Sequence, residues 1–276
     1  MGCIMLLANG QQQQAMTDPL VIIDADSILF KAALTQDKDK YQMRRYYKKL
    51  IDEIKRNTFS DEAIVGVKGT GIGFRYEIYP DYKKNRPPLE QEMKDALNYI
   101  YQYALDLGAI PAREGWEADD ECAEWVREAT AEGWDFVLAH IDKDLDMIPG
   151  KHYNYNKVTH YEVDNDSALR HFYFQLLVGD SADHIPGVNG IGPVKANRLL
   201  DDHSTNGFYD AVLSKWDSKS DMERSARCLF MGDPALFTWD LRKLYATEEE
   251  TKEDPCVEAV CDVDSDGEQV LHRDDE

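Results

Sequence analysis

Short apolar runs alternate with helical periodicities along most of the chain, and several of those runs end in acids. LVIIDADSILF, Leu20 to Phe30, reads as a buried strand whose C-terminal end presents Asp24 and Asp26. Asp37 to Asn57 has the charge density and period of an exposed helix. EAIVGVKG, Glu62 to Gly69, reads as a second buried strand. YPDYKKNRPP is a turn-rich basic loop whose prolines open an amphipathic helix over Leu89 to Leu107, closed by Gly108. A helix is predicted over Gly115 to Ala129, with acids in its first turn where the macrodipole favours them. FVLAHI then repeats the first pattern, a strand that delivers Asp142 and Asp144. Leu169 to Val178 and Pro193 to about Leu200 read as helices, and the remainder to Tyr245 as largely helical. Strands alternating with helices predict an α/β fold with a central, mostly parallel sheet flanked by helices. Ligands of such sheets bind beyond the carboxyl ends of the strands.

Composition changes this picture in two places. The chain has 276 residues, enough for a large core or for a domain plus a smaller lobe. No apolar run is long enough for a membrane helix, so no membrane partner is expected. Its five cysteines have neither zinc spacing nor a disulfide framework, which makes the cytoplasm the default compartment. The first residues, with a run of glutamines before Met16, read as a disordered leader over 1–18 or as a start placed too early, Met16 being the true one. The net charge of −22 argues at first against nucleic acid. Thirteen acids and two bases, however, lie in Glu248 to Glu276, a tail (247–276) expected to be disordered. Without the tail and the acidic motifs the body is close to neutral, and it carries basic runs at Arg44–Lys49 and Lys83–Arg86.

Four carboxylate clusters stand out: Asp24 with Asp26; Glu117, Asp119 and Asp120; Asp142 with Asp144; Asp180 with Asp183. At helical spacing Glu117 and Asp120 share a face and Asp119 lies on another flank. Asp142 and Asp144 point the same way if the strand stays extended. So many like charges are unfavourable without a counter-charge, and all-oxygen ligation suits Mg²⁺ or Mn²⁺. Two such ions are the standard device for phosphodiester cleavage. Each pair alone is as readily a solvated loop or cap; two clusters at strand ends favour a site. In the basic loop, Lys83 and Arg86 suit a scissile phosphate and Tyr82 suits base stacking. GVNGIGPVKANRLL, Gly187 to Leu200, is a glycine hairpin entering a helix. Gly190 and Gly192 let backbone approach a phosphate, with Lys195 and Arg198 on one helix face, a sequence-independent contact to DNA.

Taken together these residues resemble the 5′ nucleases, which include flap endonucleases, the 5′-nuclease domain of bacterial DNA polymerase I and standalone phage 5′→3′ exonucleases. The similarity runs from about Val21 to Leu200 through the Asp24 strand end, FRYEIYPDYKKNR, EADD, IDKDL and GDSADHIPGVNGIGPVKA. The resemblance implies a PIN-like fold and metal-dependent hydrolysis of DNA at a 5′ end or flap, with RNA primers or RNA–DNA hybrids as a further substrate, in phage-type replication within the host cytoplasm. It implies a catalytic α/β domain with a helical arch over 19–175 and a helix-three-turn-helix DNA-binding subdomain over 176–246, in a monomer. It makes Lys83 and Arg86 the catalytic lysine and arginine of the family, which steady the phosphate. It assigns Asp24, Glu117, Asp119 and Asp120 to one ion, Asp142, Asp144 and Asp183 to a second, Asp180 to the outer shell, and a K⁺ ion to the glycine hairpin. One departure stands out: Lys68 or Gly69 occupies the place of an Asp after the second strand. Beside the active DNA nuclease stand two alternatives: a non-catalytic DNA-structure-binding protein that has lost turnover through Lys68, and an RNA-cutting PIN-like nuclease, the glycine hairpin counting against the latter.

Overall fold

The structure is a computed structural model that describes residues 18–35 and 39–245; the expected tail and all of the expected leader except Asp18 lie outside those residues. A six-stranded sheet forms the centre, from β1 (Leu20–Asp24), β2 (Ala63–Val67), β3 (Ile110–Pro111), β4 (Phe136–His140), β5 (Gly150–Asn154) and β6 (Thr159–Val163). Its order is β3-β2-β1-β4-β5-β6, and all neighbours are parallel except the β5–β6 hairpin. The mostly parallel α/β expectation therefore holds. Three strands escaped the sequence pattern: β3 is two residues long, and HYN and THYEV lack an apolar run.

Alternation along β1 divides the core, because successive side chains point to opposite faces. Val21 and Ile23 pack against α1 (Asp26–Ala33), α2 (Lys40–Asn57) and, past α3 (Arg75–Ile78), α4 (Gln91–Asp106). Leu20 and Ile22 belong to the other cluster, with Trp125 and Val126 of α5 (Ala118–Ala131) and Phe172 and Leu176 of α6 (Asn165–Val178). Gly66 of β2 is what lets α5 lie close. A Cβ there would come within 3.0 Å of the Trp125 ring and 3.1 Å of Cys122 Sγ. The chain then continues through α7 (Pro193–Asp201), α8 (Phe208–Leu213) and α9 (Lys219–Leu229). Two short 3-10 turns follow, so the helical reading to Tyr245 holds in outline.

Two expectations fail at strand ends. The first strand stops at Asp24, and Asp26 already opens α1, because the Asp24 carboxylate accepts the Asp26 N–H at 3.2 Å and turns the backbone. Asp142 and Asp144 do not extend β4. Asp142 caps a 3-10 helix, Lys143–Met147, and accepts the Asp144 N–H at 2.9 Å, so the two side chains are not related by strand spacing.

Arg75 ties these layers together. Its guanidinium is buried and makes a fork–fork pair with Asp120, both N–O distances 2.7 Å. It also donates to the carbonyls of Cys228 and Phe230, each at 2.8 Å. Asp120 in turn accepts the N–H of Glu117 and of Gly232. One ion pair thus joins α3, the start of α5 and the end of α9. Removing one partner of such a pair strands the other charge and costs roughly 3–5 kcal/mol. Arg75→Leu is expected to lower the unfolding midpoint by about 10 °C. Arg75→Leu/Asp120→Leu is expected to recover part of that loss in the same thermal scan. Additive losses would show that the two residues act separately.

Candidate active site

The carboxyl ends of β1 and β4, the start of α5 and the loop after β2 surround one cleft of about 1080 Å³. Asp24, Asp26, Glu117, Asp119 and Asp142 line it together with Lys68, Lys83 and Arg86. A narrower extension, lined by Lys83, Glu117 and Asp119 as well, reaches Asp144, Asp180 and Asp183.

Asp24 lies at the end of a fully buried strand and is 6% exposed. Burial, followed by the charges of Asp26, Asp142 and Glu117, pushes its carboxyl up to about 8 despite the Asp26 N–H bond. Burial also pushes Asp26 up to about 6, against the opposing effect of the Lys68 N–H and of the Lys68 and Lys83 charges. Asp119 is driven well above the usual range by burial, then by Asp120 and Glu117. Asp144 rises to about 7 through burial and Asp142, and it accepts a hydrogen bond from the Gln175 amide. Glu117 is the exception. Burial would raise it, but Lys83 and Arg75 outweigh that and hold it below the usual range.

The cations come from a tight turn. Lys83 adopts a left-handed backbone, φ 56°, and its N–H donates to the Asp183 carbonyl at 2.8 Å. Its ammonium pairs with Glu117 and lies 3.7 Å from Asp183. Arg86 pairs with Asp183 and remains half exposed. Asp183 itself stands on a loop closed by a backbone crossing. A Cβ on Gly187 would sit 2.3 Å from Gly179 N, and one on Gly179 would sit 2.5 Å from Gly187 N, so neither position admits a side chain. Within that loop Asp180 and Ile185 exchange backbone hydrogen bonds at 2.9 and 2.7 Å. The Asp180 carboxylate accepts the Ala182 N–H at 2.7 Å, which makes Asp180 a brace for the loop.

Two expected site residues lie elsewhere. Asp120 does not reach the cleft, because both its oxygens are engaged by Arg75. Tyr82 is only 3% exposed and cannot stack on a base. Its hydroxyl lies 3.1 Å from Glu117 Oε2 and 3.0 Å from Asp183 Oδ2, where it spaces two carboxylates. Conversely, Asp26 lines the cleft and accepts the Lys68 N–H at 2.9 Å. Tyr76, 40% exposed, also lines the cleft and offers the aromatic surface that Tyr82 does not. The Asp-x-Asp spacing at Asp24 carried a signal for Asp26; nothing in the sequence marked Tyr76.

Away from the cleft, the glycine hairpin joins α6 to α7. Gly190 has φ 74° and Gly192 is extended, so α7 begins without a side-chain cap. Lys195 donates to the Gly190 carbonyl at 2.8 Å, and both Lys195 and Arg198 are exposed.

The donor set fits hard divalent cations: it is all carboxylate, and Asp24, Asp26, Asp119 and Asp144 are raised by burial and by neighbouring carboxylates, a penalty that such a cation relieves. Asp24, Asp26 and Asp144 hold their protons to higher pH in the folded protein than in the unfolded chain. Stability in EDTA is therefore expected to fall as pH rises from about 4 to about 8. At pH 8 in EDTA, Asp24→Asn is expected to raise the unfolding midpoint by at least about 5 °C. Its amide oxygen keeps the Asp26 N–H bond without the charge. An unchanged or lower midpoint would mean that the carboxylates are not in conflict.

Residues 19–172 match the family described as 5′-3′ exonuclease, N-terminal resolvase-like domain. The chain is 30% identical over 209 residues to a thermostable DNA polymerase I of Thermus aquaticus, covering 72% of this chain and 24% of the polymerase. It is 30% identical over 160 residues to the flap endonuclease Xni of Shewanella sediminis, covering 55% of this chain and 63% of that protein. The chain thus spans about a quarter of the polymerase and under two thirds of the endonuclease. Among solved structures, the bacteriophage T5 5′-exonuclease with bound zinc ions superposes with a TM-score of 0.60 at 19% identity, over 76% of this chain and 89% of that one. The T5 flap endonuclease in a complex with DNA and metal ions gives 0.61 at 19% identity, over 82% and 90%. At these identities the likeness is one of fold.

Proposed function

The chain belongs to the 5′ nuclease superfamily, and on that premise we propose that it is a metal-dependent 5′→3′ exonuclease or 5′-flap endonuclease acting on DNA. The convergence of carboxylates from β1, α5, β4 and the 180–187 loop on one cleft, with Lys83 and Arg86 at its lip, carries this reading. Asp24, Glu117 and Asp119 would hold one Mg²⁺ or Mn²⁺ and Asp142, Asp144 and Asp183 a second, with Asp180 bracing the loop. Such ions, when bound, activate water and stabilise the leaving oxygen. Lys83 and Arg86, now paired with Glu117 and Asp183, would exchange those carboxylates for the scissile phosphate. Asp26 supplies a carboxylate beside Lys68, where the family carries an acid on the neighbouring strand.

The hairpin at Gly190 and Gly192, with Lys195 and Arg198, would grip duplex backbone as a helix-three-turn-helix within 176–246, K⁺ included, while 19–175 forms the catalytic unit. The arch falls to residues 84–92, which are exposed throughout, since α4 is packed on the sheet layer. RNA–DNA hybrids, a phage replication setting, a cytoplasmic location and a monomeric state complete the proposal.

A second reading, DNA binding without turnover, draws on Lys68, an ammonium-bearing residue that lines the cleft. A panel of 5′-labelled flaps and duplexes of DNA and RNA in Mg²⁺, Mn²⁺ or EDTA decides between them. Metal-dependent release from the 5′ side is expected, with Asp142→Asn and Lys83→Ala each at least about 100-fold slower. Lys68→Asp should lower the Mg²⁺ concentration needed. Wild-type rates in either loss variant would sink the assignment, and tight flap binding with no cleavage in Mn²⁺ would favour the second reading. Lys195→Ala/Arg198→Ala is expected to weaken binding equally across DNA sequences and to lower the salt slope by about 2. An unchanged slope would remove the hairpin from the interface.

A further inference from the structure

A second cluster of metal-ligating side chains lies under β4, β5 and β6, distinct from the carboxylate cleft. His140 ends β4 and His152 lies in β5, both wholly buried. Asp146, from the 3-10 helix between those strands, and Tyr161, cross-strand partner of His152, close the group on its partly exposed side. One ligand atom each from His140, Asp146 and His152 lie within 4.8 Å of one another.

The hydrogen bonds fix both ring tautomers. His140 Nδ1 is 2.6 Å from the Asp142 carbonyl, and His152 Nε2 is 2.9 Å from the Ile148 carbonyl. A carbonyl only accepts, so each of these nitrogens carries the ring proton. The remaining nitrogens, His140 Nε2 and His152 Nδ1, then face each other as lone pairs at 2.7 Å. With both rings neutral, neither can donate to the other. The Tyr161 hydroxyl has one hydrogen and two candidate acceptors, Asp146 Oδ1 at 2.7 Å and His140 Nε2 at 3.2 Å. It cannot also separate the rings. Two converging lone pairs beside a carboxylate call for a cation between them.

The geometry points to a binding site for one borderline divalent transition-metal ion, of the Zn²⁺ or Co²⁺ type, held by His140 Nε2, His152 Nδ1 and Asp146. Two imidazoles and a carboxylate suit such an ion and not Mg²⁺. Each ring hands its other N–H to a backbone carbonyl, the usual support of a metal-bound histidine. At Zn–N distances of about 2.0–2.1 Å the two nitrogens part by roughly half an ångström. Tyr161 and the open side of Asp146 leave a path for the ion. Its place is structural: it pins the β4–β5 connection, and through His140 the Asp142 carbonyl, without facing the cleft.

The test is metal binding, independent of cleavage. The full chain is stripped with EDTA, placed in excess Mg²⁺ to occupy the carboxylates, and titrated with Zn²⁺ and with Co²⁺. One tight equivalent is expected, with Co²⁺ giving the visible bands of a four-coordinate, nitrogen-ligated site and Zn²⁺ raising the unfolding midpoint. The equivalent should persist in Asp24→Asn/Asp119→Asn, which alters only the cleft. It should weaken at least about tenfold in Asp146→Asn and in His152→Gln. Circular dichroism checks that these variants fold, and Asp146→Asn, at a partly exposed position, serves if His152→Gln does not. No tight equivalent in the wild type would leave a shared proton between the rings and overturn the site, as would folded variants that bind like wild type.

Discussion

Mutual repulsion among buried carboxylates is the constraint around which this fold is arranged. Asp24, Asp26, Asp119 and Asp144 all have their acidities suppressed by burial and by neighbouring carboxylates. Such a group stands only if counter-charge is built in beside it. Arg75 does this from below, holding Asp120 in a bidentate pair and lowering Glu117 at longer range. Lys83 and Arg86 do it from above, through Glu117 and Asp183. The two sets of cations differ in kind. Arg75 is fully buried with four hydrogen bonds in place, so it is a fixed part of the core. Lys83 and Arg86 are partly exposed and can change partners.

The sheet topology explains why the acids meet. β1 and β4 are adjacent and parallel, so their carboxyl ends deliver Asp24 and Asp142 to the same edge. The start of α5 comes to that edge because Gly66 lets its helix press on β2. The 180–187 loop comes because Gly179 and Gly187 cross in contact and aim Asp183 at the basic turn. Three glycines separated in sequence thus act on one site, each by permitting a close approach that a methyl group would block.

Much of the site was legible because its signals are local. Apolar runs that end in acids, an acidic first helical turn and a glycine hairpin before Lys195 each need only a few neighbouring residues to read. Those signals located Asp24, Glu117, Asp119, Asp142, Asp144 and Asp183, all of which line the cleft or its extension. The misreadings have a common cause. Asp120 and Tyr82 were read from spacing and residue type, but their direction is set by groups distant in sequence. Arg75 claims Asp120, and Glu117 with Asp183 claims the Tyr82 hydroxyl. The strands β5 and β6 were missed because their faces mix polar and apolar residues, His152 of β5 and Tyr161 of β6 packing their rings against each other and against His140 of β4.

The sequence by itself determined the α/β class, the strands that carry acids, and the family, since periodicity and short motifs are properties of neighbouring residues. Only the tertiary structure decided which carboxylates share the cleft and which are neutralised beneath it. It also decided that Lys68 is met by Asp26, and that two histidines twelve residues apart bring a ring nitrogen each to within 2.7 Å of the other. Those outcomes depend on close approach between segments that the chain separates, and charge, burial and proton position are settled only where such segments touch.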